Sequence, residues 1–237
     1  MIAVVGCIAA VFALLLVAGS GPAYRLRLID LTDAFTLLRW GAWMGLGAVL
    51  VTLTGAWITR PGAGKRGFAL ALVGATMGAV AFGVPFAMLL SAKAAPPIHD
   101  ITTDTANPPR FVAMIPLRQG APNSVEYPGE ALSRQQRVAY PDIRPATIAE
   151  PPDAAFTRAL KAASDVGWQI VAAVPGEWRI EATDTTIWFG FKDDIVIRVT
   201  PTAGGSLIDV RSVSRLGEGD LGKNAARIRA YLRRLQS

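Results

Sequence analysis

The sequence has very few of the residues that most metal and disulfide sites need. Its 237 residues include one cysteine, Cys7, and one histidine, His99. A zinc site built from Cys and His takes about four ligands, so one chain cannot form it, and an intramolecular disulfide is excluded as well. Residues 62–66 resemble a phosphate-binding loop but lack its spacing and its Ser or Thr. No metal site and no cofactor is predicted.

Charge is scarce in the first 90 residues, which hold eight of the 42 Lys, Arg, Asp and Glu residues. Three uncharged apolar stretches lie in this region, at about residues 2–22, 40–59 and 67–90. A membrane-spanning helix takes about 20 apolar residues, so residues 1–90 are predicted to form a three-helix transmembrane anchor. Transporters and pumps usually need ionisable residues within their spans, and these spans have none, which favours an anchor over a conduit.

Two features of the anchor stay open at this level. Residues 18–20 form a passable cleavage site after the first span, but a signal peptide normally begins with Lys or Arg and this segment has neither. The positive-inside count gives three Lys or Arg on one side of the membrane and four on the other. The charges therefore do not decide the orientation.

The net charge of +6 is a mild excess, unlike the dense basic patches of nucleic-acid-binding proteins. Nucleic acid is therefore not an expected partner. The lipid bilayer is the predicted partner, and an envelope protein or an anionic lipid is a further candidate.

Proline dominates residues 91–152, which hold 11 of the 16 prolines. Proline interrupts regular helices because it lacks an amide hydrogen and its ring clashes with the preceding turn. Apolar residues such as Phe111, Met114 and Ile115 make this segment too apolar for a free tether. We predict an extended arm without regular helix that packs along the surface of the following domain.

Residues 153–237 have the pattern of an α+β domain. A helical stretch is followed by five short alternating stretches and by a final helix after Asp220. The five predicted strands lie within residues 168–174, 178–182, 187–191, 195–199 and 208–210. Short turns connect them, one of them at Asp193-Asp194, so the strands should form an antiparallel meander. The predicted fold has two layers: a helix, a five-stranded antiparallel meander and a helix.

Alternation along these strands places polar side chains on the face that the helices do not cover. They are Arg179, Glu181, Trp188 and Arg198, followed by Asp209 and Arg211. One interpretation is a ladder of ion pairs on a solvated face, where each pair contributes little stability. The other is a binding surface on which the arginines hold an anion.

The connection from the last strand to the last helix is the most distinctive motif. It contains Arg211, Ser212, Ser214, Arg215, Asp220 and Asn224. Free backbone N–H groups at such a turn can hold an anion, but Asp220 as the helix cap would occupy that position. The competing interpretation is a structural turn braced by Asp–Arg pairs. A serine nucleophile needs a base, and the sole imidazole lies in the arm, so no catalytic residue is predicted.

These stretches resemble the bacterial domain-of-unknown-function family 1499. The resemblance covers about residues 97–236 and is carried by residues 179–183, residues 189–198 and the run from Arg211 to Arg227. Its members are often envelope proteins, which implies an extracytoplasmic C-terminal domain. Together with the three predicted spans, this predicts a multi-pass protein of the bacterial inner membrane whose C-terminal domain is periplasmic. The family has no established activity, so the resemblance implies no reaction.

Three hypotheses follow for the function. The first is a membrane-anchored, non-enzymatic accessory or binding protein of the bacterial cell envelope. The second is an enzyme of unknown reaction that uses the Arg211–Asn224 turn. The third is anionic-lipid binding through the C-terminal helix, because residues 211–237 carry seven Lys or Arg against two acids. A polar sheet face covered by the arm favours the first, whereas a pocket with a strongly perturbed carboxylate beside the turn favours the second.

Overall fold

The computed structural model describes all residues, from Met1 to Ser237, and divides into two units. The first unit contains Met1–Ser91 together with Ile187–Gly190. The second contains Ala92–Thr186 and Phe191–Ser237.

Three long apolar helices form most of the first unit: α1 (Ile2–Arg25), α2 (Leu31–Ile58) and α3 (Phe68–Ala94). Each is long and apolar enough to cross a membrane. Helix α2 begins well before the predicted span, because the Asp30 carboxylate caps it by accepting a hydrogen bond from the Asp33 amide (2.8 Å).

Glycines allow α2 and α3 to cross at very short range. A Cβ added to Gly45 would lie 2.8 Å from the carbonyl oxygen of Gly78, and one added to Gly78 would lie 2.7 Å from that of Gly45. Real Cβ atoms essentially never come so close, so only glycine fits at either position. Such backbone-to-backbone packing is how small residues hold helices together in lipid, where apolar burial provides no driving force between helices.

A six-stranded antiparallel sheet organises the second unit. Four strands follow one another as hairpins: β3 (Gln169–Val174), β4 (Arg179–Thr185), β5 (Lys192–Thr202) and β6 (Gly205–Ser214). Two short strands, β1 (Asp100–Thr102) and β2 (Ala146–Ile148), pair with the two ends of β6. The chain between β1 and β2 thus leaves the edge of β6 and returns to it.

Helices α5 (Pro152–Asp165) and α6 (Lys223–Gln236) cover one side of the sheet, here called the helix face. Its central side chains are fully buried: Ile180, Ile195, Ile197, Ile208 and Val210. Trp168 stacks on Tyr231 of α6 with ring centroids 5.0 Å apart. The predicted two-layer α+β fold is confirmed.

The opposite side of the sheet, here called the arm face, carries Glu181, Asp194, Val196, Arg198, Asp209, Arg211 and Val213. Residues 103–125 of the arm lie over it, and Phe111 and Met114 pack against Val196 and Val213. The arm also contains a helix, α4 (Glu130–Ala139). The prediction that the arm lacks regular helix was wrong, because Pro128 and Pro141 flank this helix and do not interrupt it.

The meander differs from the prediction in one place. Residues 187–191 do not form a strand, since β4 has ended at Thr185 and Gly190 adopts a left-handed φ of 69°. Asp193 and Asp194 do not form a turn but lie within β5, opposite Ser214 and Val213 of β6. The arm adds two strands while this segment drops out, which gives six strands in place of five.

Candidate functional site

The predicted turn residues fall into two clusters, because alternate side chains of β6 point to opposite faces of the sheet. Ser212 and Ser214 bond to Asn224 on the helix face. Arg211 and Arg215 bond to carboxylates on the arm face. The structure therefore does not bring the predicted residues together into one constellation.

On the helix face, Asn224 connects the two serines. Ser212 Oγ donates a hydrogen bond to Asn224 Oδ1 (2.6 Å), and Asn224 Nδ2 donates to Ser214 Oγ (2.9 Å). Arg227 donates to the same Asn224 Oδ1 (2.5 Å) and forms an ion pair with Asp193 (2.6 Å). This network fixes the start of α6 against β5 and β6.

Asp220 closes the turn that leads into α6. Its carboxylate accepts hydrogen bonds from the backbone amides of Gly222 (2.8 Å) and Asn224 (2.6 Å). Burial raises the pKa of the Asp220 carboxyl, and these two hydrogen bonds oppose the rise. The protein's own carboxylate thus fills the place of an anion at this helix start. The His99 ring lies against the Glu218 carbonyl (3.1 Å) and bonds to neither serine.

On the arm face, Arg211 joins the last strand to the arm. Its guanidinium donates to both carboxylate oxygens of Asp100 (2.9 and 2.7 Å) and to the carbonyls of Pro109 (3.2 Å) and Val125 (2.7 Å). The Phe111 ring lies 5.4 Å from the guanidinium carbon. Burial raises the pKa of the Asp100 carboxyl, and the Arg211 fork opposes the rise. Such two-point pairs are among the strongest hydrogen-bonded contacts in proteins.

Glu181 holds the arm onto the sheet. It is fully buried, and its carboxylate accepts hydrogen bonds from the amides of Val112 (2.9 Å), Ala113 (3.0 Å) and Met114 (2.7 Å). Arg179 forms an ion pair with the same carboxylate. Both carboxylate oxygens of this side chain are therefore bonded within the protein.

Arg198 completes the predicted polar face. It pairs with Asp209 of β6 (2.8 Å) and with Asp104 of the arm (3.0 Å). Arg179, Glu181 and Arg198 thus share one face, and the arm contributes a partner to two of the three. The Arg179–Glu181 pair is largely buried, whereas Arg198 and Asp104 are each about a quarter exposed.

Trp188 does not lie on this face, so its placement there was wrong. Strand β4 ends at Thr185, and Trp188 belongs to the connection that follows. Its indole N–H donates to the carbonyl of Ala18 (3.2 Å), within the first unit. The apolar alternation of this connection resembles that of a strand, which is why the sequence misplaced it.

Sequence reasoning missed the centre of the arm face. Asp194 is fully buried and pairs with Arg118 (2.6 Å) and Arg215 (2.8 Å). Arg118 Nε is the one buried side-chain nitrogen or oxygen in the chain without a hydrogen-bond partner, and such a group costs about 1–3 kcal/mol. The only local signal was the pair of acids inside an apolar strand, since Arg118 lies 76 residues from Asp194 along the chain.

The C-terminal helix presents fewer free cations than its sequence indicates. Arg229 pairs with Asp142 (2.6 Å) and Arg234 with Asp165 (2.5 Å), whereas Arg233 forms no ion pair.

Nowhere in the chain are three or more His, Cys, Asp or Glu side chains arranged to hold a metal ion.

A family model described as "Protein of unknown function (DUF1499)" matches residues 100–235, which is more than half of the chain. The chain belongs to this family. The resemblance seen in the sequence motifs is thereby confirmed, and the three long helices lie outside the matched residues. No curated protein and no solved structure matches the chain. Both clusters lie within the DUF1499 domain, whose family description assigns them no activity.

Proposed function

We propose that this DUF1499 protein is a membrane-anchored, non-enzymatic accessory or binding protein of the bacterial cell envelope, with its C-terminal domain in the periplasm. One observation carries the proposal: the polar side chains of the candidate site are bonded to one another and to the arm. Their hydrogen bonds serve the fold, and the arm covers most of the polar side of the sheet, where Glu181, Asp194 and Arg211 are buried.

Burial adds to this argument. A catalytic nucleophile or base must reach its substrate, directly or through one water. Ser212 is fully buried, and Arg211 and Asp220 are at most 8% exposed. Removing one partner of a buried ion pair costs about 3–5 kcal/mol, so substrate cannot easily displace these contacts. Such a site fits a rigid scaffold that presents its surface to a ligand.

The first unit supports the membrane part of the proposal. Leu15, Leu50 and Leu90 are each more than half exposed, on helices long and apolar enough to span a bilayer. Apolar side chains of this size are stable when they face lipid. The lipid bilayer is therefore the first partner that we propose.

The orientation can be tested with single cysteines in a Cys7→Ser background. If all three helices span the membrane, the turn between α2 and α3 lies on the opposite side from the C-terminal domain. Ala203→Cys, in the exposed β5–β6 turn, should react with a membrane-impermeant maleimide on intact cells. Ala63→Cys, the matched control, should react only after lysis. The reverse pattern would place the domain in the cytoplasm and overturn the envelope proposal.

The absence of catalysis is tested separately with the purified full chain and a panel of cell-envelope substrates. We expect no turnover. Turnover that Asp220→Ala abolishes, while Arg233→Ala as an exposed control retains it, would favour the enzyme hypothesis instead.

A further inference from the structure

A cleft of about 400 Å³ lies within the arm, beside the short 3₁₀ helix Ile115–Arg118. This volume is in the range of small-molecule sites. Its lining combines apolar and polar side chains, among them Ile115, Pro116 and Val125, and Arg118, Gln119 and Ser124.

Cations outnumber carboxylates beneath this cleft. Asp194 is the only carboxylate that pairs with Arg118, and it is also the only one that pairs with Arg215. Two guanidinium groups therefore share one carboxylate, which leaves one positive charge unbalanced. Elsewhere on the arm face, each paired arginine has at least one carboxylate of its own. The Arg118 side chain is only 4% exposed, where an unbalanced charge is costly, and an anion in the cleft would balance it.

The cleft surface has hydrogen-bond donors that no protein group accepts from. The exposed Gln119 amide forms no hydrogen bond with the protein, and the exposed Ser124 hydroxyl accepts one from the Glu126 amide but donates none. The Arg118 side chain is 4% exposed, its terminal nitrogens are bonded to protein and its unpartnered Nε is buried, so Arg118 adds charge to the cleft and not a hydrogen bond. Carboxylate and phosphate oxygens are the acceptors that suit such donors.

The cleft also offers an apolar surface next to these donors. Ile115 is 52% exposed although it lines the cleft. We propose that the cleft binds an amphiphilic anion: a carboxylate or phosphate group that balances the charge of Arg118 and accepts hydrogen bonds from Gln119 and Ser124, attached to an alkyl body that lies on Ile115. The inference rests on the proposed function, since it names the ligand class of the binding protein.

The test uses the full chain in detergent micelles and short-chain probes that stay in water. Sodium hexanoate and hexyl phosphate are the anions, and hexanol is the neutral control. At least one anion should bind saturably and shift the Nε–H resonance of Arg118, which Arg118→Lys identifies, while hexanol binds at least about tenfold more weakly. Binding of hexanoate alone indicates a fatty-acid source, and binding of hexyl phosphate alone indicates a lipid headgroup.

Two glutamate variants form a matched pair on the same 3₁₀ helix. Ile115 and Leu117 are 52% and 53% exposed, but only Ile115 lines the cleft. Because like charges repel, Ile115→Glu should weaken anion binding about tenfold or more, and Leu117→Glu less than about threefold. Equal affinities of the two variants, equal binding of hexanol or no saturable binding would each overturn the inference. These outcomes leave the proposed function standing, because labelling and turnover test it independently.

Discussion

The two faces of the sheet are buried by opposite kinds of chemistry, although the same strands supply both. The helix face is filled by isoleucine and valine side chains such as Ile197. The arm face buries Glu181, Asp194 and Arg211, each with charged partners. The position of a residue in the strand decides which face its side chain lies on, because successive side chains point to opposite faces. A buried face need not be apolar, provided that its charges and hydrogen bonds are matched.

The two faces should also differ in how they respond to change. Apolar packing loses stability in proportion to the volume removed. A buried ion-pair network is stable only when every partner is present, because one missing partner leaves the other charge unpaired. The predictions below test this difference.

The largest effect is expected from Glu181→Ala. The substitution leaves the amides of Val112, Ala113 and Met114 and the Arg179 guanidinium without their acceptor, which should cost about 3–5 kcal/mol. Hydrogen exchange followed by mass spectrometry should show the loss first in the peptide that contains residues 112–114. Glu181→Gln keeps one acceptor oxygen and should lose less. Unchanged protection of this peptide in Glu181→Ala would contradict the role of Glu181 in holding the arm.

On the helix face, shortening Ile197 should give a graded loss. Ile197→Ala should cost about 3 kcal/mol and Ile197→Val about 1 kcal/mol, because the loss follows the methyl groups removed. Hydrogen exchange at the slowest-exchanging amides of β5 should measure both losses in the free energy of unfolding. A valine variant as unstable as the alanine variant would show that the loss of stability on this face does not follow the number of methyl groups removed.

A smaller effect is expected from Arg211→Lys, which keeps the charge but loses the two-point contact with Asp100. The loss should be about 1.5–3 kcal/mol in urea unfolding, because several hydrogen bonds to a buried charge disappear. Arg229→Lys is the matched control. Arg229 contacts Asp142 with the same two-point geometry at the surface, so its loss should stay below about 1 kcal/mol. Similar losses in both variants would remove the distinction between buried and exposed pairs.

The smallest effect is expected from acid titration of the surface pairs. Arg229 lowers the pKa of the Asp142 carboxyl below its usual 3.8, and Lys161 with Arg234 does the same for Asp165. Since the folded state holds these protons less tightly than the unfolded chain, the pairs stabilise the fold above about pH 4 and lose that contribution as the pH falls further. In Arg229→Ala, NMR titration of the Asp142 carboxyl should give a higher pKa than in the unchanged protein. An unchanged value would show that the pair does not form in solution.

Local periodicity was sufficient for the elements that bury one apolar stripe. Helices α5 and α6 and strand β4 were predicted in this way, because the residues of their apolar stripes pack in the core on the helix face. The segment Ile187–Gly190 has a similar alternation but groups with the first unit, where Phe189 is buried beside Phe35 while Ile187 is 91% exposed. An alternating pattern therefore shows neither that every apolar residue in it is buried nor what buries it.

The charged partners could not be predicted, because the topology brings them together from far apart in the sequence. Arg118 and Asp194 are 76 residues apart, and Asp100 and Arg211 are 111 residues apart. Alternation placed Arg179, Glu181 and Arg198 on one face. This alternation could not indicate whether the face is open to water or covered by the arm, since the sequence of the arm has no periodic pattern from which its packing partner could be predicted.

The pairing of β1 and β2 with the last strand has a consequence for the order of events during synthesis. Arg211 is made 111 residues after Asp100, which at about 5–20 residues per second is a delay of about 6–22 s. The three long helices are already complete when this interval begins, and the arm is completed within it, whereas β6, with which β1 and β2 pair, does not yet exist. A chain that stops before β6 loses the partner of β1, β2 and β5 at once. The sheet of the second unit can therefore form only after β6, one of the last segments to be synthesised, has been made.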